Sequence, residues 1–314
     1  MNRPYFLTIN LNPTLQKTLV FRDFRENEVN RCVEHYLDVS GKGINVTRVL
    51  CQLDEPVRHL TCAGGRERDL FLAMCSADGL DVQWVESNAE IRSCYTIVNM
   101  EGHTVTELVE EGRQVESATE DLVARKFDDL LDGCHTVIIS GTKAPGFSGR
   151  LFPRMVKRAK DAGKLVILDL KGDDLTGSLQ YHPDVIKPNF AEFVSTFSSE
   201  LESDSPSGRF VSEHETDEAL VEAGNARMRS LHELYGCQVV LTRGGQGVLF
   251  TDGGSVMTLQ VDTVIPVNPI GSGDAFTAGF ASEYVRSRNA AEAVARGAEC
   301  GRLNALKLRP GVIR

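Results

Sequence analysis

The chain has 314 residues, 41% hydrophobic and 25% charged, which suits a globular protein with a sizeable core. A net charge of −10 argues against a nucleic-acid polyanion as a general partner, so any phosphate binding must rest on cations gathered locally. The eight cysteines form no C-x-x-C pair, the seven histidines form no metal-type cluster, and no run reaches the ~20 apolar residues of a membrane helix.

In chain order, Tyr5 to Leu11 alternates as a strand and stops at Asn12-Pro13. Its apolar stretch is brief and reaches Asn10-Leu11-Asn12-Pro13 within a few residues, so it reads as a first strand and not a signal peptide, and the protein is expected to be cytoplasmic with free thiols. Leu19 to Phe21 and Val33 to Val39 read as strands with an exposed face. Ser40-Gly41-Lys42-Gly43 is a glycine turn running into a helix with apolar Val46, Val49, Leu50 and Leu53. Val57 to Cys62 is a strand and Asp69 to Ala77 a helix. Ile91 to Val98 and Thr104 to Val109 flank the hairpin signal Glu101-Gly102-His103, and with residues 14–40 they suggest a small separate sheet.

From Ala118 the pattern changes. Helical stretches (Ala118 to Leu131, Gly149 to Ala162, Asp217 to Leu234) alternate with apolar strands (Thr136 to Ser140, Leu165 to Leu170, Val185-Ile186, Val239 to Leu241). That alternation implies a parallel sheet covered by helices on both faces. Residues 198–217 are polar and acidic and read as a surface insertion. Val248 to Phe250 and Ser255 to Val261 suggest an antiparallel pair. Asn289 and Glu292 are spaced as a capping box for a last helix, Asn289 to Leu306.

The stretch with most chemical content is Val267 to Phe276, entered by the apolar run Val264 to Val267. An apolar run meets Gly271-Ser272-Gly273-Asp274, and Phe276, Phe280 and Tyr284 then follow at helical spacing. Glycines let backbone N–H groups converge, and a helix start presents unpaired N–H groups with partial positive charge. Such a cradle binds phosphate, and a carboxylate beside it can take a proton from an attacking hydroxyl. The same four residues also make an ordinary turn and helix cap, so on their own they leave both readings open.

The ordered set of glycine-centred stretches resembles the ribokinase-like (PfkB) carbohydrate kinases, and within them the branch of 1-phosphofructokinase and tagatose-6-phosphate kinase. The resemblance is carried by Leu11-Asn12-Pro13, Ser40 to Leu50, Ile91-Arg92-Ser93-Cys94, Ser140-Gly141, Ile186-Lys187-Pro188-Asn189 with Glu192, Gly244-Gly245-Gln246-Gly247, and Asn268 to Asp274. It implies a single ribokinase-like α/β unit over residues 1–314, a parallel sheet sandwiched by helices, with a small β-sheet lid from about 12–40 and 90–112. It also implies ATP and Mg²⁺ as cofactors, a small phosphosugar as substrate and a homodimer formed through the lid.

By resemblance, Asp274 is the catalytic base, and Gly271, Ser272 and Gly273 form the anion hole. Gln16, Gly41, Lys42, Asn45 and Arg92 face the substrate, with Arg92 gripping its phosphate through a planar fork suited to phosphate oxygens. Lys187, Asn189, Thr242, Gly244, Gly247 and Asn304 lie on the nucleotide side. Asn189 and Glu192 attend Mg²⁺ through water, and a helix cap is the alternative role for this pair. Arg31 is a weaker phosphate candidate across a subunit boundary. The sequence departs from the family at Gln16, where Asp is usual, and at Lys143 and Lys171, so the sugar stays open. Val29-Asn30-Arg31 and Asn45 to Leu50 lean toward tagatose 6-phosphate over fructose 1-phosphate or fructose 6-phosphate. A same-fold kinase of an unphosphorylated sugar or nucleoside, and a sugar-phosphate sensor without turnover, are the alternatives.

Overall fold

The computed structural model describes residues 3–198 and 218–314, so the expected insertion at 198–217 lies outside the described residues apart from its first position. Strand β1 (Tyr5–Leu11) is buried along its whole length. Its side chains alternate between two cores. Leu7, Ile9 and Leu11 join Phe127, Phe152 and Phe193 on one face. Phe6 joins Val46, Val49, Ile138, Phe276 and Phe280 on the other. A strand with apolar groups on both faces must lie inside a sheet covered on both sides.

That sheet has nine strands. In spatial order they are β13 (Ser255–Leu259), β12 (Val248–Asp252), β11 (Gln238–Thr242), β10 (Val185–Ile186), β9 (Leu165–Asp169), β8 (Cys134–Lys143), β1, β4 (Val57–Ala63) and β5 (Val82–Glu86). Pairing is parallel from β11 to β5, and β12 and β13 close one edge antiparallel. Among the described residues the helices are α1 (Lys42–Gln52), α2 (Arg68–Ala77), α3 (Ser117–Leu131), α4 (Leu151–Asp161), α5 (Gly172–Leu179), α6 (Phe190–Thr196), α7 (Glu218–Tyr235), α8 (Ser272–Ser287) and α9 (Ala290–Ala305). Two elements escape the sequence pattern. Edge strand β5 is only half-buried and shows no clear alternation, and α5 is just eight residues long.

A second sheet has the order β3 (Glu34–Ser40), β2 (Thr14–Phe21), β6 (Arg92–Asn99) and β7 (Thr104–Val109). Strands β2 and β6 pair in parallel, and both outer pairs are antiparallel. Its inner residues Leu15 and Val39 pack with Ile44 of α1 and Phe71 of α2, which fastens the root of the small sheet to the main body. The first four residues of β3 are all exposed, so both faces are open at that end.

All eight cysteines are free: six are buried, Cys51 is half-buried, and Cys32, in the loop between β2 and β3, is exposed. Burial pushes the thiols of Cys62, Cys75 and Cys237 up to about 12. Among the described residues no helix is long and apolar enough to cross a membrane.

Candidate active site

In a parallel sheet the carboxyl ends of the strands open a crevice where neighbouring connections diverge. Here β1 pairs with β4 on one side and β8 on the other. At the ends of β1, β8, β9, β10 and β11 stand Asn12, Ser140, Asp169, Lys187 and Thr242. Two helix starts meet above them, those of α1 and α8.

Helix α8 begins at Gly271, a left-handed residue with φ 82 that makes no side-chain cap. A Cβ there would lie 3.0 Å from both the Gly311 nitrogen and Pro310 Cβ, so the turn is closed to other residues by conformation and by space. The Ser272 amide donates to the Pro269 carbonyl at 3.1 Å, and the Gly271 carbonyl accepts from Ala275 at 2.8 Å. Among the described residues no acceptor takes the amide hydrogens of Gly273 or Asp274. A Cβ at Gly273 would meet nothing within 4 Å. The helix therefore starts with two free donors at an open space, the arrangement that binds an anion.

Helix α1 also starts at an uncapped glycine, Gly41, with φ 114. Gly41 and Gly43 both press on Asn10: added Cβ atoms would fall 2.8 Å from its Nδ2 and 2.7 Å from its Cβ. This close approach carries Lys42 and Asn45 to α8. Asn45 Nδ2 donates to Asp274 Oδ2 at 2.8 Å, inside the protein. Lys42 Nζ lies 3.1 Å from Glu192 Oε1 and 3.5 Å from Asp169 Oδ1, and Lys187 Nζ is also 3.5 Å from Asp169 Oδ1. Ser140 donates to Asp169 Oδ2 at 3.0 Å.

The two buried carboxyls have opposite fates. Burial pushes Asp169 upward, but Lys187, Lys42 and the Ser140 hydroxyl outweigh it and hold the group below the usual range. Asp274 is raised to about 6: burial dominates, Asp169 adds repulsion, and Lys42, the Asn45 amide and Lys187 only partly oppose it. A carboxylate near 6 is ionised at neutral pH yet far more basic than an exposed one, as a proton acceptor requires. Lys42 is held above the usual lysine range because Asp169, Glu192 and Asp274 outweigh the effect of its burial.

From Gly273 a cavity of about 580 Å³ runs toward β11. Asn189, Phe190, Thr242, Gly244, Gly247 and Arg302 are among its lining residues.

The sequence profile of the pfkB family carbohydrate kinases matches residues 11–311. The chain belongs to this family. Its fold is similar to that of phosphofructokinase-2 from Escherichia coli in complex with fructose-6-phosphate, with TM-score 0.82 and 19% identity over 98% of this chain and 96% of that one. It is likewise similar to a possible 1-phosphofructokinase from Thermotoga maritima, with TM-score 0.79, 19% identity, and 98% and 94% of the two chains covered. For ribokinase from Thermotoga maritima the TM-score is 0.72, with 18% identity and 98% and 95% covered. These likenesses speak to a ribokinase-like fold, and the family match makes the chain a sugar kinase, a phosphotransferase.

This pfkB kinase brings together Lys42, Asn45, Asp274, Glu192 and Lys187 around Asp169. Asn189, Thr242, Gly244 and Gly247 line the nucleotide-sized cavity. Gly247 needs its φ of 92, and a Cβ there would strike the Leu259 carbonyl oxygen at 2.3 Å.

Other expected residues sit differently. Asn304 does not line the cavity. It is fully buried, and its amide is saturated by the protein: Nδ2 donates to the Ile270 carbonyl and Ser272 Oγ, and Oδ1 accepts from Gly311 and Val312. Its work is to hold the anion turn against the C-terminal loop. Lys187 is likewise buried on Asp169 and absent from the cavity wall. The Ser272 amide is spent inside its own turn, so of the three expected donors it drops out, and among the described residues the amides of Gly271, Gly273 and Asp274 are left without an acceptor. Asn189 and Glu192 form a full capping box on α6, each side chain accepting from the other's backbone amide, while Glu192 Oε1 also faces Lys42.

In the small sheet Gln16 is buried and donates to Thr96 Oγ1 at 2.8 Å. Arg92, beside Thr14, donates from Nη1 to the Glu110 carbonyl at 3.2 Å, and its Nε is buried without an acceptor. Lys143 is ion-paired to Asp174, Lys171 lies 3.8 Å from Glu192, and Arg31 is exposed.

Sequence reasoning gave Asp169 no role in the site. The available signal was an acid closing a wholly apolar strand, Leu165 to Leu168, at the carboxyl end of the sheet.

Proposed function

We propose that this kinase transfers the γ-phosphoryl group of ATP to a hydroxyl of a ketohexose monophosphate, giving the bisphosphate, with tagatose 6-phosphate or fructose 1-phosphate as the substrate type. The observation that carries the reading is Asp274. It is buried, raised to about 6, and lies on the first turn of an uncapped helix whose free amides open toward a nucleotide-sized cavity. Asp274 accepts the proton of the attacking hydroxyl. Asn45 holds the carboxylate toward the α1 side, and the Gly273 and Asp274 amides donate to the oxygens of the moving phosphoryl group. Lys42 sits between Asp169, Glu192 and Asp274, where its charge offsets the anions that gather on transfer.

Among the described residues no group of three or more His, Cys, Asp or Glu side chains converges to hold a metal ion. That suits Mg²⁺ carried by nucleotide phosphates and water rather than by an all-protein cage. Glu192, with Asn189 beside it, would accept from metal-bound water. When bound, the ion offsets phosphate charge.

Arg92 grips the substrate's own phosphate in this reading. Support comes from its buried, unpartnered Nε and a guanidinium fork matched to phosphate oxygens. On one face of the lid Leu37 and Leu108 are exposed in the same cross-strand row, an apolar surface that a second copy would cover, so we place a homodimer there, in the cytoplasm.

The test is an ATP-consumption screen with Mg²⁺ over hexose phosphates, hexoses and nucleosides, followed by Arg92→Ala. The expected result is turnover with a ketohexose phosphate and a KM for it raised at least about tenfold by Arg92→Ala, with an unchanged KM for ATP. Turnover only with unphosphorylated sugars would overturn the substrate class. No turnover with anything would leave a sugar-phosphate sensor.

A further inference from the structure

Arg48 lies on α1 three residues beyond Asn45, with its side chain only 6% exposed. All five of its N–H donors are engaged. Nε and Nη2 donate to Asp78 Oδ2 at 3.2 and 2.9 Å, and Nη2 donates also to the Val39 carbonyl of β3 at 2.7 Å. Nη1 donates to the Pro310 carbonyl at 3.0 Å and to Asn45 Oδ1 at 3.1 Å. A guanidinium has no acceptor, so the Asn45 atom facing it must be the carboxamide oxygen. The other end of that amide is then Nδ2, 2.8 Å from Asp274 Oδ2. Turned over, Asn45 would set its oxygen against a carboxylate and its NH₂ against a cation.

The site around Arg48 is itself braced. Asp78 is shared with Arg309, which also pairs with Asp38 on β3, and Ser40 Oγ lies 3.3 Å from Asn45 Oδ1. Gly311 packs so closely that a Cβ would come 3.2 Å from Arg48 Nη1 and 3.0 Å from Asn45 Cα. Three successive residues of the small sheet, Asp38, Val39 and Ser40, therefore meet one network with the C-terminal loop and the partner of Asp274.

We propose that Arg48 is a positioning residue for phosphoryl transfer: it fixes the Asn45 carboxamide so that Asn45 donates to Asp274. The inference rests on Asp274 being the base. The charged and titratable groups that face Asp274 are Lys42 from α1, Asp169 from β9 and Lys187 after β10. Those that face Arg48 are Asp78, Arg309 and Asp38, with the thiols of Cys51 and Cys75.

The experiment is a double-mutant cycle on the full chain with the best phosphosugar, using Asn45→Ala, Arg48→Met and the double variant. Arg48→Met alone is expected to lower kcat about 100-fold at pH 7 with an unchanged KM for ATP, the scale of a misplaced catalytic contact. In the Asn45→Ala background it should lower kcat less than about threefold, because the two residues act as a unit. Multiplying losses would overturn the inference. Should Arg48→Met not fold, Arg48→Lys keeps a cation beside Asp78 but loses the fork. Arg48→Lys is expected to lose activity and to move the acid limb of the kcat–pH profile to higher pH. A profile superimposable on wild type would overturn it equally. Asp274→Asn in the same assay separates the two readings. Retained turnover there removes the base itself, whereas an inactive Asp274→Asn beside an additive cycle removes only the role of Arg48.

Discussion

Helices α6 and α8 both start at the wall of one cavity, yet their first turns are built in opposite ways. At α6 Asn189 and Glu192 close the turn reciprocally, so the backbone amides of these two residues are met by its own side chains. At α8 a left-handed glycine replaces the cap, and the Gly273 and Asp274 amides are left to whatever enters. The two sequences, Asn-Phe-Ala-Glu and Gly-Ser-Gly-Asp, could each be read as a cap. Only one of them is. With glycine at the cap position α8 gives up only roughly a few tenths of a kcal/mol relative to an Asn or Ser cap, and that small sacrifice leaves an anion site open beside a basic carboxylate.

The sharpest way to break this contrast is Asp274→Asn. We expect kcat to fall about 10²–10⁴-fold, the range for loss of a general base. The fold should not suffer. The folded pKa of Asp274 lies above its ordinary value, so ionising it between about 4 and 6 costs the native state stability, and that cost is fully present above about 6. Thermal melts at pH 8 should therefore show Asp274→Asn at least as stable as wild type, and a lower midpoint would contradict the assignment. Next in size is Gly273→Ala. Its methyl enters open space and suits a helix, so stability should hold while kcat/KM for ATP falls about 10–100-fold through displacement of the phosphoryl group. Wild-type activity for this variant would mean that the open turn is not where phosphate sits.

A pH series reads the same carboxylate without mutation. Below about 6 kcat should fall close to tenfold per unit as Asp274 takes a proton. A profile flat to pH 4.5 would exclude it as the base. The smallest effect is expected at the capped start: Asn189→Ala should cost about 1 kcal/mol in urea unfolding and change kcat less than about threefold. A large kcat loss with unchanged stability would move Asn189 from helix cap to ligand contact.

Much of this could be read from the chain because its cause is local. Apolar runs such as Val137 to Ile139 and Val166 to Leu168 announce buried parallel strands, and Gly271 to Asp274 announces a turn with a carboxylate on the next helix. What stayed hidden depends on partners far away in sequence. Asp169 takes its meaning from Lys42 and Lys187, and nothing next to it in the chain supplies either. Asn304 looks like a polar residue free to meet a base until residues 270, 272, 311 and 312 are seen to use all its hydrogen-bonding capacity. Arg48 interrupts the apolar series Val46, Val49 and Leu50, where its four bonds to three other parts of the chain could not be foreseen. The cap at Asn189 was foreseen as an alternative, but spacing alone could not choose it.

The distribution of thiols offers an experimental handle. Six cysteines are buried and Cys32 is exposed, on the loop that joins two strands of the small sheet. A maleimide fluorophore should therefore label the native wild-type protein first at Cys32, with no engineering. Its emission would follow the small sheet while sugar and nucleotide are added separately, giving the order of ligand arrival by stopped flow.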